Sequence, residues 1–510
     1  MPLAEVPGRT TRHVIALAAA VTAIGVALLI YSQTKAFAWD EGFHLLAAQL
    51  VKSGRKPYLD FCFSQAPLNA YWNAFWMSVF GESWRTAHAA AAIATAGAVF
   101  LTADFLAARF PVIRWRLATA LTAAFLTGWN AMVFEYGTIA QAYGICLFLT
   151  VAAFRVTVLA PDRVGWVLPA CAGFLASAAA GCSLLTATTA PVLLIWLAMN
   201  NRTGKGWSKC AAFIGAAIVP TLPVLRLLAE NSRAVWFGIF QYNGLYRTVD
   251  WPESTQHNIE VLTKWIDSSQ ALTLAALAAA GIHFIKKSDW NRATRSEFYL
   301  CGYLALATGA ELCVPRPTFQ RYFLLIVPFL AILASTGLYA ITLRLWDALR
   351  PALPVAGITL LAALGLAKSL YQRADIYTWS YFEEIARKVE EVTPEGGQIF
   401  ADEQIYFLTK RRPPSGFELA DSHKLEGLPA DQARALHIVP QSEVDRRVSG
   451  GKFDTVATFE DDEDTLARWG LDRVYAHKAE VGDCAVYWSK KVRFAPAVGT
   501  TLQDQPALHY

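Results

Sequence analysis

Long apolar runs alternate with short polar connections through the first 371 residues of the chain. A helix that crosses a lipid bilayer needs about 20 mainly apolar residues, because its length must match the hydrocarbon core. About eleven runs meet this requirement. They lie near residues 13–31, 87–108, 117–134, 140–159, 164–180, 184–199, 211–228, 271–285, 298–314, 322–342 and 352–370. The pattern predicts an α-helical polytopic membrane protein.

Basic residues occupy every second connection between these runs, as expected for loops that stay in the cytoplasm. They include Arg9 and Arg12 before the first run, Arg109, Arg114 and Arg116 after the second, and Lys286 and Lys287 after the eighth. This distribution predicts a cytoplasmic N-terminus and, after an odd number of spans, a C-terminus outside the cytoplasm. Two long connections, residues 32–86 and 230–270, then lie on the outer side. The assignment requires that the closely spaced runs 164–180 and 184–199 both cross the membrane.

The composition changes near residue 376, where the apolar runs end. The amphipathic segment YFEEIARKVEE predicts a helix, and FDTVATF and DRVYAHK predict strands. Acidic residues at positions 460–464 suit the start of another helix, where the helix dipole favours negative charge. We therefore expect residues 1–371 to form a membrane module and residues 372–510 a small extracytoplasmic α/β domain.

Composition supports the membrane assignment. Of the 510 residues, 55% are hydrophobic and 17% are charged, with a mean hydropathy of +0.31. Soluble domains carry roughly 25% charged residues. The net charge of +4 argues against a nucleic-acid-binding surface. The chain has no GxGxxG or GxxxxGK[ST] motif, which argues against a nucleotide-binding domain, and its eight cysteines lack zinc-site or disulfide-framework spacing.

Polar side chains collect near the predicted outer face. The adjacent carboxylates Asp40 and Glu41 follow the first span and are the candidate catalytic residues. The candidate substrate- and lipid-phosphate-binding residues are His44, Gln65, Asn69, Glu135, Tyr143, Tyr246, Arg247, Arg316, Arg321 and Tyr322. Carboxylates at a membrane interface cost little, and aromatic residues there also form interfacial belts, so neither type alone indicates a site.

Together these residue types suit one kind of chemistry. Arginine holds phosphate through fixed, charge-assisted hydrogen bonds. A carboxylate that acts as a general base contributes about 10² to 10⁴ in rate. A lipid-linked donor keeps its tail in the bilayer, so transfer of its sugar must occur at the membrane boundary. The set therefore favours sugar transfer from a lipid-phosphate donor.

At these residues the chain resembles the GT-C membrane glycosyltransferases, among them protein O-mannosyltransferases and aminoarabinose or Rgt-like lipopolysaccharide transferases. The resemblance rests on Trp39-Asp40-Glu41 after the first span, and on KPYLDFCFSQAPLNAYW, EYGTIAQAYGICLFL and PRPTFQRYFLLIVPFL. It implies that Asp40 is the catalytic base and that Glu41 orients groups beside it. It also implies that Arg321 and Tyr322 meet the lipid phosphate, with Arg247 as a second cation.

Two positions depart from the family pattern. Gln65 stands where aminoarabinose transferases carry a lysine, and Gln141 stands where many relatives carry an arginine. Both departures remove positive charge that would face the donor. The donor's charge or pose is therefore expected to differ from that of these relatives.

We predict an inverting hexosyl- or pentosyltransferase of the inner (plasma) membrane with a periplasmic active site. It would move a sugar from a polyprenyl-phosphate donor to an acceptor glycan, lipid or protein. The adjacent carboxylates could bind a divalent cation as a cofactor, or the reaction could proceed without a metal ion. The alternatives are a transporter or flippase of lipid-linked saccharides, and a polymerase or ligase. Against a transporter, the spans are nearly free of charge, with Arg226 and Glu311 as exceptions near helix ends.

Overall fold

The structure is a computed structural model that describes residues 11–34, 38–201, 206–246, 251–345, 351–372, 377–425 and 428–490, without the side chains at positions 12, 38, 39, 246 and 251. These residues form two compact units. The first comprises Met1–Glu383 and Glu403–Pro440, and the second comprises Glu384–Asp402 and Gln441–Tyr510.

Helices make up most of the described chain. They begin with α1 (Thr11–Ser32), α2 (Ala38–Lys52), α3 (Leu68–Phe80), α4 (Trp84–Arg109), α5 (Arg116–Gly128), α6 (Ala131–Tyr136), α7 (Tyr143–Leu159), α8 (Val167–Cys182), α9 (Thr189–Met199), α10 (Gly206–Ala217) and α11 (Leu222–Glu230). Next come α12 (Ser232–Trp236), α13 (Tyr242–Tyr246), α14 (Trp251–Ile266), α15 (Ser269–Lys287), α16 (Arg292–Leu312), α17 (Val327–Leu345) and α18 (Ala352–Gln372). The last are α19 (Trp379–Val392), α20 (Glu403–Thr409), α21 (Ala430–Ala435), α22 (Gln441–Ser449), α23 (Glu463–Trp469) and α24 (Leu471–Val474).

Several helices are long and apolar enough to cross a membrane. By length and composition, the described residues include five: His13–Ser32, Trp84–Arg109, Gly206–Glu230, Gln320–Leu345 and Ala352–Gln372. The pair Pro252–Ile266 and Ser269–Lys287, bent by 78°, makes up to six if it counts as one span. Tyr143–Leu159, Val167–Cys182 and Leu184–Met199 are apolar but shorter. The membrane character is therefore clear, whereas a count of about eleven spans stays a prediction.

Helix breaks explain why some predicted spans are short in the structure. The run 117–134 is divided between α5 and α6 at Asn130. The Asn130 side-chain oxygen accepts hydrogen bonds from the backbone N–H groups of Met132 and Val133, which caps α6. The connections 32–86 and 230–270, which were predicted to lie on the outer side, contain helices of their own: α2 and α3 in the first, and α12 to α14 in the second.

Close helix contacts hold the first unit together, as at the crossing of α15 and α17. A Cβ atom at Gly281 would lie 2.1 Å from the carbonyl oxygen of Leu333, and one at Gly337 would lie 1.9 Å from that of Leu277. The two backbones therefore touch, as small residues allow in membrane helices. By contrast, only 17% of the apolar window of α1 is buried, so most of that helix presents apolar side chains outward.

A cluster of ion pairs joins α4, α7 and α16. Arg155 of α7 and Asp104 of α4 are 2.5 Å apart. Arg109, at the end of α4, lies 3.6 Å from both Asp162 and Glu297. These contacts fix the ends of three helices against one another.

Residues 403–440 pack on the connection that carries α2, so we call them the cover segment. Gln49 donates a hydrogen bond to the backbone oxygen of Phe407 over 3.2 Å. His437 Nε2 lies 2.6 Å from the backbone oxygen of Leu59. The cover segment therefore belongs to the first unit, although it follows residue 371 in the sequence. That residues 372–510 form a separate extracytoplasmic domain stays a prediction.

The second unit contains a four-stranded sheet. Its strands are β1 (Ile399–Phe400), β2 (Thr455–Thr458), β3 (Tyr475–Val481) and β4 (Cys484–Lys490), in the order β1-β2-β4-β3. β1 and β2 are parallel, with Ile399 opposite Thr455, whereas β4 is antiparallel to both β2 and β3. β2 lies within the segment FDTVATF that was predicted as a strand. β3 only overlaps the predicted segment DRVYAHK, because residues 472–474 belong to α24 and the strand continues to Val481. The predicted acid-led helix is α23, and Asp462 caps it by accepting a hydrogen bond from the backbone N–H of Thr465.

Candidate active site

The site is built around the first turn of α2. Asp40 and Glu41 lie in that turn, where the helix dipole stabilises negative charge. Successive residues of an α-helix point in directions about 100° apart, since one turn takes 3.6 residues. The two carboxylates therefore face different surroundings.

Asp40 forms an ion pair with Arg321. Arg321 Nη2 donates to Asp40 Oδ2 over 2.5 Å, and Arg321 Nε donates to the Tyr143 hydroxyl over 3.2 Å. The guanidinium carbon also lies 4.1 Å from the centre of the Phe319 ring. Three of the predicted residues thus form one hydrogen-bonded group, although Asp40 and Arg321 are 281 positions apart in the sequence.

Glu41 instead points into the protein and is completely buried. Its Oε1 accepts a hydrogen bond of 2.8 Å from the backbone N–H of Ala140 and contacts His88 Nε2. The other ring nitrogen of His88 lies 2.5 Å from the backbone oxygen of Ser32. Glu41 therefore ties α2 to α1, α4 and the residues before α7, and its carboxylate does not line the cavity described next.

A cavity of about 400 Å³ opens beside Asp40, within the size range of small-molecule sites. Its lining contains six predicted site residues: Asp40, His44, Gln65, Tyr143, Arg321 and Tyr322. It also contains Ser64, Ala66, Gln141, Ala142, Ser183, Leu184, Leu185, Ile239, Asn243, Glu311, Val314 and Pro315. Both positions that depart from the family pattern, Gln65 and Gln141, thus face the same cavity as Asp40.

His44 contributes an uncharged polar group to this cavity. Burial lowers the pKa of His44 to about 3, so its imidazole is neutral at pH 7. Its Nδ1 lies 3.2 Å from the side-chain nitrogen of Asn69. Asn69 in turn donates to the backbone oxygen of Ala140 over 3.1 Å, and Asn73 donates to the same oxygen over 2.7 Å. These amides hold the residues before α7 against α3.

Other predicted residues lie away from the cavity lining. Glu135 accepts a hydrogen bond from the Ser369 hydroxyl over 2.8 Å. Arg316 donates to the hydroxyls of Ser254 and Thr255 over 3.2 and 3.1 Å. Asn69 is not in the described lining and contacts the lining residue His44. The Tyr246 side chain and Arg247 lie outside the described residues.

The structure adds residues that were not among the candidates. His88 supports Glu41, and Asn243 donates to the backbone oxygen of Ser64 over 3.2 Å at the cavity wall. Glu311 of α16 lines the cavity and accepts hydrogen bonds from Thr188, through the backbone N–H over 3.1 Å and the hydroxyl over 2.7 Å. An ionisable residue beside an apolar run is a signal that could have placed Glu311 among the candidates.

In the described residues, no three His, Cys, Asp or Glu side chains come close enough together to hold a metal ion.

Comparison with solved structures identifies the fold. ArnT from Cupriavidus metallidurans, bound to undecaprenyl phosphate, matches with a TM-score of 0.65 and 14% identity over 94% of this chain and 98% of ArnT. The archaeal oligosaccharyltransferase AglB from Archaeoglobus fulgidus, in complex with an inhibitory peptide and a dolichol-phosphate, matches with a TM-score of 0.53 and 13% identity over 92% of this chain and 73% of AglB. The chain has the GT-C glycosyltransferase fold. No protein family model matches the sequence, and no curated protein matches it.

The fold confirms the resemblance to GT-C proteins that the sequence motifs indicated. At 14% identity the similarity concerns the fold. Apo ArnT matches equally well, with a TM-score of 0.65 over 93% of this chain and 97% of ArnT.

Proposed function

We propose that this protein is an inverting glycosyltransferase that uses a polyprenyl-phosphate-linked sugar as its donor. The observation that carries the proposal is the Asp40–Arg321 pair in the lining of a 400 Å³ cavity. The pair joins a candidate base to a candidate phosphate ligand. The GT-C fold supports it further, because the ArnT structure with this fold holds undecaprenyl phosphate.

In the proposed reaction, Asp40 takes the proton from an acceptor hydroxyl. The acceptor oxygen attacks the anomeric carbon as the bond between that carbon and the phosphate oxygen breaks, so the configuration inverts. The phosphate leaves on its lipid carrier with the bonding electrons. Arg321 stabilises the departing phosphate, since a guanidinium forms charge-assisted hydrogen bonds with phosphate oxygens.

Arg321 would thus serve two anions. Without donor, its guanidinium is held by Asp40 and by the Tyr143 hydroxyl. A donor phosphate would compete with Asp40 for the guanidinium and leave the carboxylate available to the acceptor hydroxyl. Tyr143 would keep the guanidinium in place during this exchange.

Glu41 would act as a positioning residue and not as a catalytic one. Its contacts with Ala140 and His88 hold the first turn of α2, and therefore the backbone of Asp40. We further propose that the cavity opens on the extracytoplasmic side of the inner membrane, from the distribution of basic loops. The acceptor would be a glycan, lipid or protein reached from that side.

The decisive measurement is transfer activity of the Asp40→Asn protein, supplied with membrane extracts as the source of lipid-linked sugar and acceptor. Loss of the base is expected to lower the rate by about 10² to 10⁴. Glu82→Gln, which neutralises a carboxylate paired with Lys52, is the matched control and should retain activity. Full activity in an Asp40→Asn protein with a normal melting temperature would rule out this mechanism.

A further inference from the structure

The charges in the cavity lining are unbalanced. Among the described lining residues, Asp40 and Glu311 are acidic and Arg321 is basic, while His44 is neutral at pH 7. The remaining polar groups are amides and hydroxyls, including those of Gln65 and Gln141. Arg321 is matched by Asp40, so Glu311 adds a second negative charge to the cavity.

One oxygen of the Glu311 carboxylate is held in place by hydrogen bonds. Both hydrogen bonds from Thr188 end on Oε2, one from the backbone N–H and one from the hydroxyl. Oε1 accepts no hydrogen bond from the described residues. One oxygen is therefore anchored, and the other can accept hydrogen bonds from a molecule in the cavity.

A purely structural role would explain only part of this arrangement. Thr188 precedes α9, and a carboxylate at a helix start satisfies a backbone N–H that has no partner within the helix. A glutamine could accept the same two bonds through its side-chain oxygen. The structural role therefore does not require a negative charge.

We propose that Glu311 recognises the sugar of the lipid-linked donor and selects a sugar without an acidic group. Oε1 accepts hydrogen bonds from sugar hydroxyls, and the carboxylate repels a uronic acid in the same cavity. This inference rests on the proposed function, since it concerns the donor of that reaction. Glu311 is a specificity-determining residue in this scheme, whereas Arg321 binds the phosphate common to all donors.

The test uses three probes and purified protein in detergent: undecaprenyl phosphate alone, the same carrier bearing galactose, and the same carrier bearing galacturonic acid. The two sugars differ only at C6, where a hydroxymethyl group replaces a carboxylate. We expect the protein to bind the galactosyl carrier about tenfold more tightly than the galacturonyl carrier, the effect of one hydrogen bond to a charged group.

Glu311→Gln keeps an acceptor for Thr188 but turns its amide N–H₂ toward the cavity. It should reduce the preference for galactose to about twofold or less, and leave the affinity for bare undecaprenyl phosphate and the melting temperature unchanged. Glu82→Gln, the same neutralisation outside the cavity, should keep the full preference. Thr188→Val, which removes one of the two anchoring bonds, should reduce the preference partially.

The outcomes separate this inference from the proposed function. Equal affinities for the two sugar-bearing carriers, a preference for galacturonic acid, or an undiminished preference in Glu311→Gln would overturn the role of Glu311. The same holds if neither sugar improves binding over bare carrier. A protein that binds no carrier at all would instead contradict the proposed donor, and with it the proposed function.

Discussion

Two aspartate–arginine pairs in the first unit have the same separation but different surroundings. Asp40 and Arg321 are 2.5 Å apart, as are Asp104 and Arg155. The Asp40 side chain is 43% exposed and lines a cavity. The Asp104 and Arg155 side chains are 22% and 8% exposed, and the Arg155 guanidinium lies 5.6 Å from the Phe105 ring.

The comparison shows that the length of an ion pair does not reveal its role. The Asp104–Arg155 pair joins α4 to α7, and Nε and Nη1 of Arg155 have no hydrogen-bond partner among the described residues. The Asp40–Arg321 pair is open to a molecule in the cavity. Two features distinguish the candidate reaction centre from an ion pair that joins two helices. It is open to a molecule in the cavity, and the Tyr143 hydroxyl lies beside it.

Truncating the arginine of each pair should give opposite results. Arg321→Ala is expected to lower transfer activity at least about 10²-fold, because a preorganised donor to the leaving phosphate is lost, with little change in stability. Arg155→Ala should lower stability by about 3 to 5 kcal/mol, because Asp104 loses its buried partner. Activity per folded molecule should then be retained.

Both predictions are checked by measuring the melting temperature in detergent and the transfer rate on the same preparations. Arg321→Lys serves as a control, since it keeps the charge but loses the two-nitrogen geometry that reaches Asp40 and Tyr143. If Arg155→Ala abolished transfer in a protein that melts normally, the distinction between the two pairs would fail.

A smaller effect on stability concerns Glu418, a residue of the cover segment. Burial raises the pKa of Glu418 to about 7 from its ordinary 4.5, although Arg55 lies 3.5 Å away. The folded protein then binds this proton more tightly than the unfolded chain. Stability should therefore fall as pH rises from about 4.5 to about 7, by up to roughly 3 kcal/mol, and the loss should stay complete above pH 7.

Melting temperatures across pH 4 to 8 check this prediction against Glu418→Gln, which cannot titrate. The variant should lack the Glu418 component of the pH dependence and be more stable than the parent at pH 8. An identical pH dependence in both proteins would show that Glu418 is not its source.

The smallest expected effect is that of Gly42→Ala, next to the two carboxylates of α2. A Cβ atom there would lie 2.6 Å from Gln404 Oε1 and 2.9 Å from the Gln404 backbone nitrogen. The cover segment would have to shift, at a cost of about 1 to 3 kcal/mol. Gly54→Ala is not a usable control, because Gly54 has a φ of +89°. Gly244→Ala is suitable, since a Cβ there meets nothing within 4 Å.

If Gly42→Ala also lowers transfer more than its loss of stability explains, α20 helps to position Asp40. Unchanged stability would contradict a close contact between α2 and α20.

Much of the membrane unit could be predicted from the sequence, because apolar length and the motif around Asp40 are local signals. The predicted topology placed Arg321 on the same face as Asp40, and the family resemblance implied that it meets the lipid phosphate. Its direct contact with Asp40 was not predicted. The resemblance implied different roles for Asp40 and Glu41, but which carboxylate lines the cavity and which is buried was not predictable, since it depends on the direction that each faces from α2. The anchoring of Glu311 by Thr188 was equally inaccessible, because it joins residues 123 positions apart.

The extent of the first unit also could not be predicted from local sequence patterns. The predicted boundary near residue 371 follows the end of the apolar runs, but the cover segment, which begins at Glu403, still belongs to the first unit. Its contacts are made by scattered groups such as Gln49 and His437, which carry no periodic signal. Glu418 likewise becomes buried only when the cover segment packs on the connection that carries α2.

The return of the cover segment has a consequence for biosynthesis. When a ribosome has finished α18 at Gln372, every predicted span has been made, but α2 still lacks the residues that will lie over it. The first turn of α2 can reach its final surroundings only after Glu403–Thr409 has emerged. The part of the candidate centre that α2 contributes is encoded near the start of the chain, but it is therefore among the last parts of the first unit to mature.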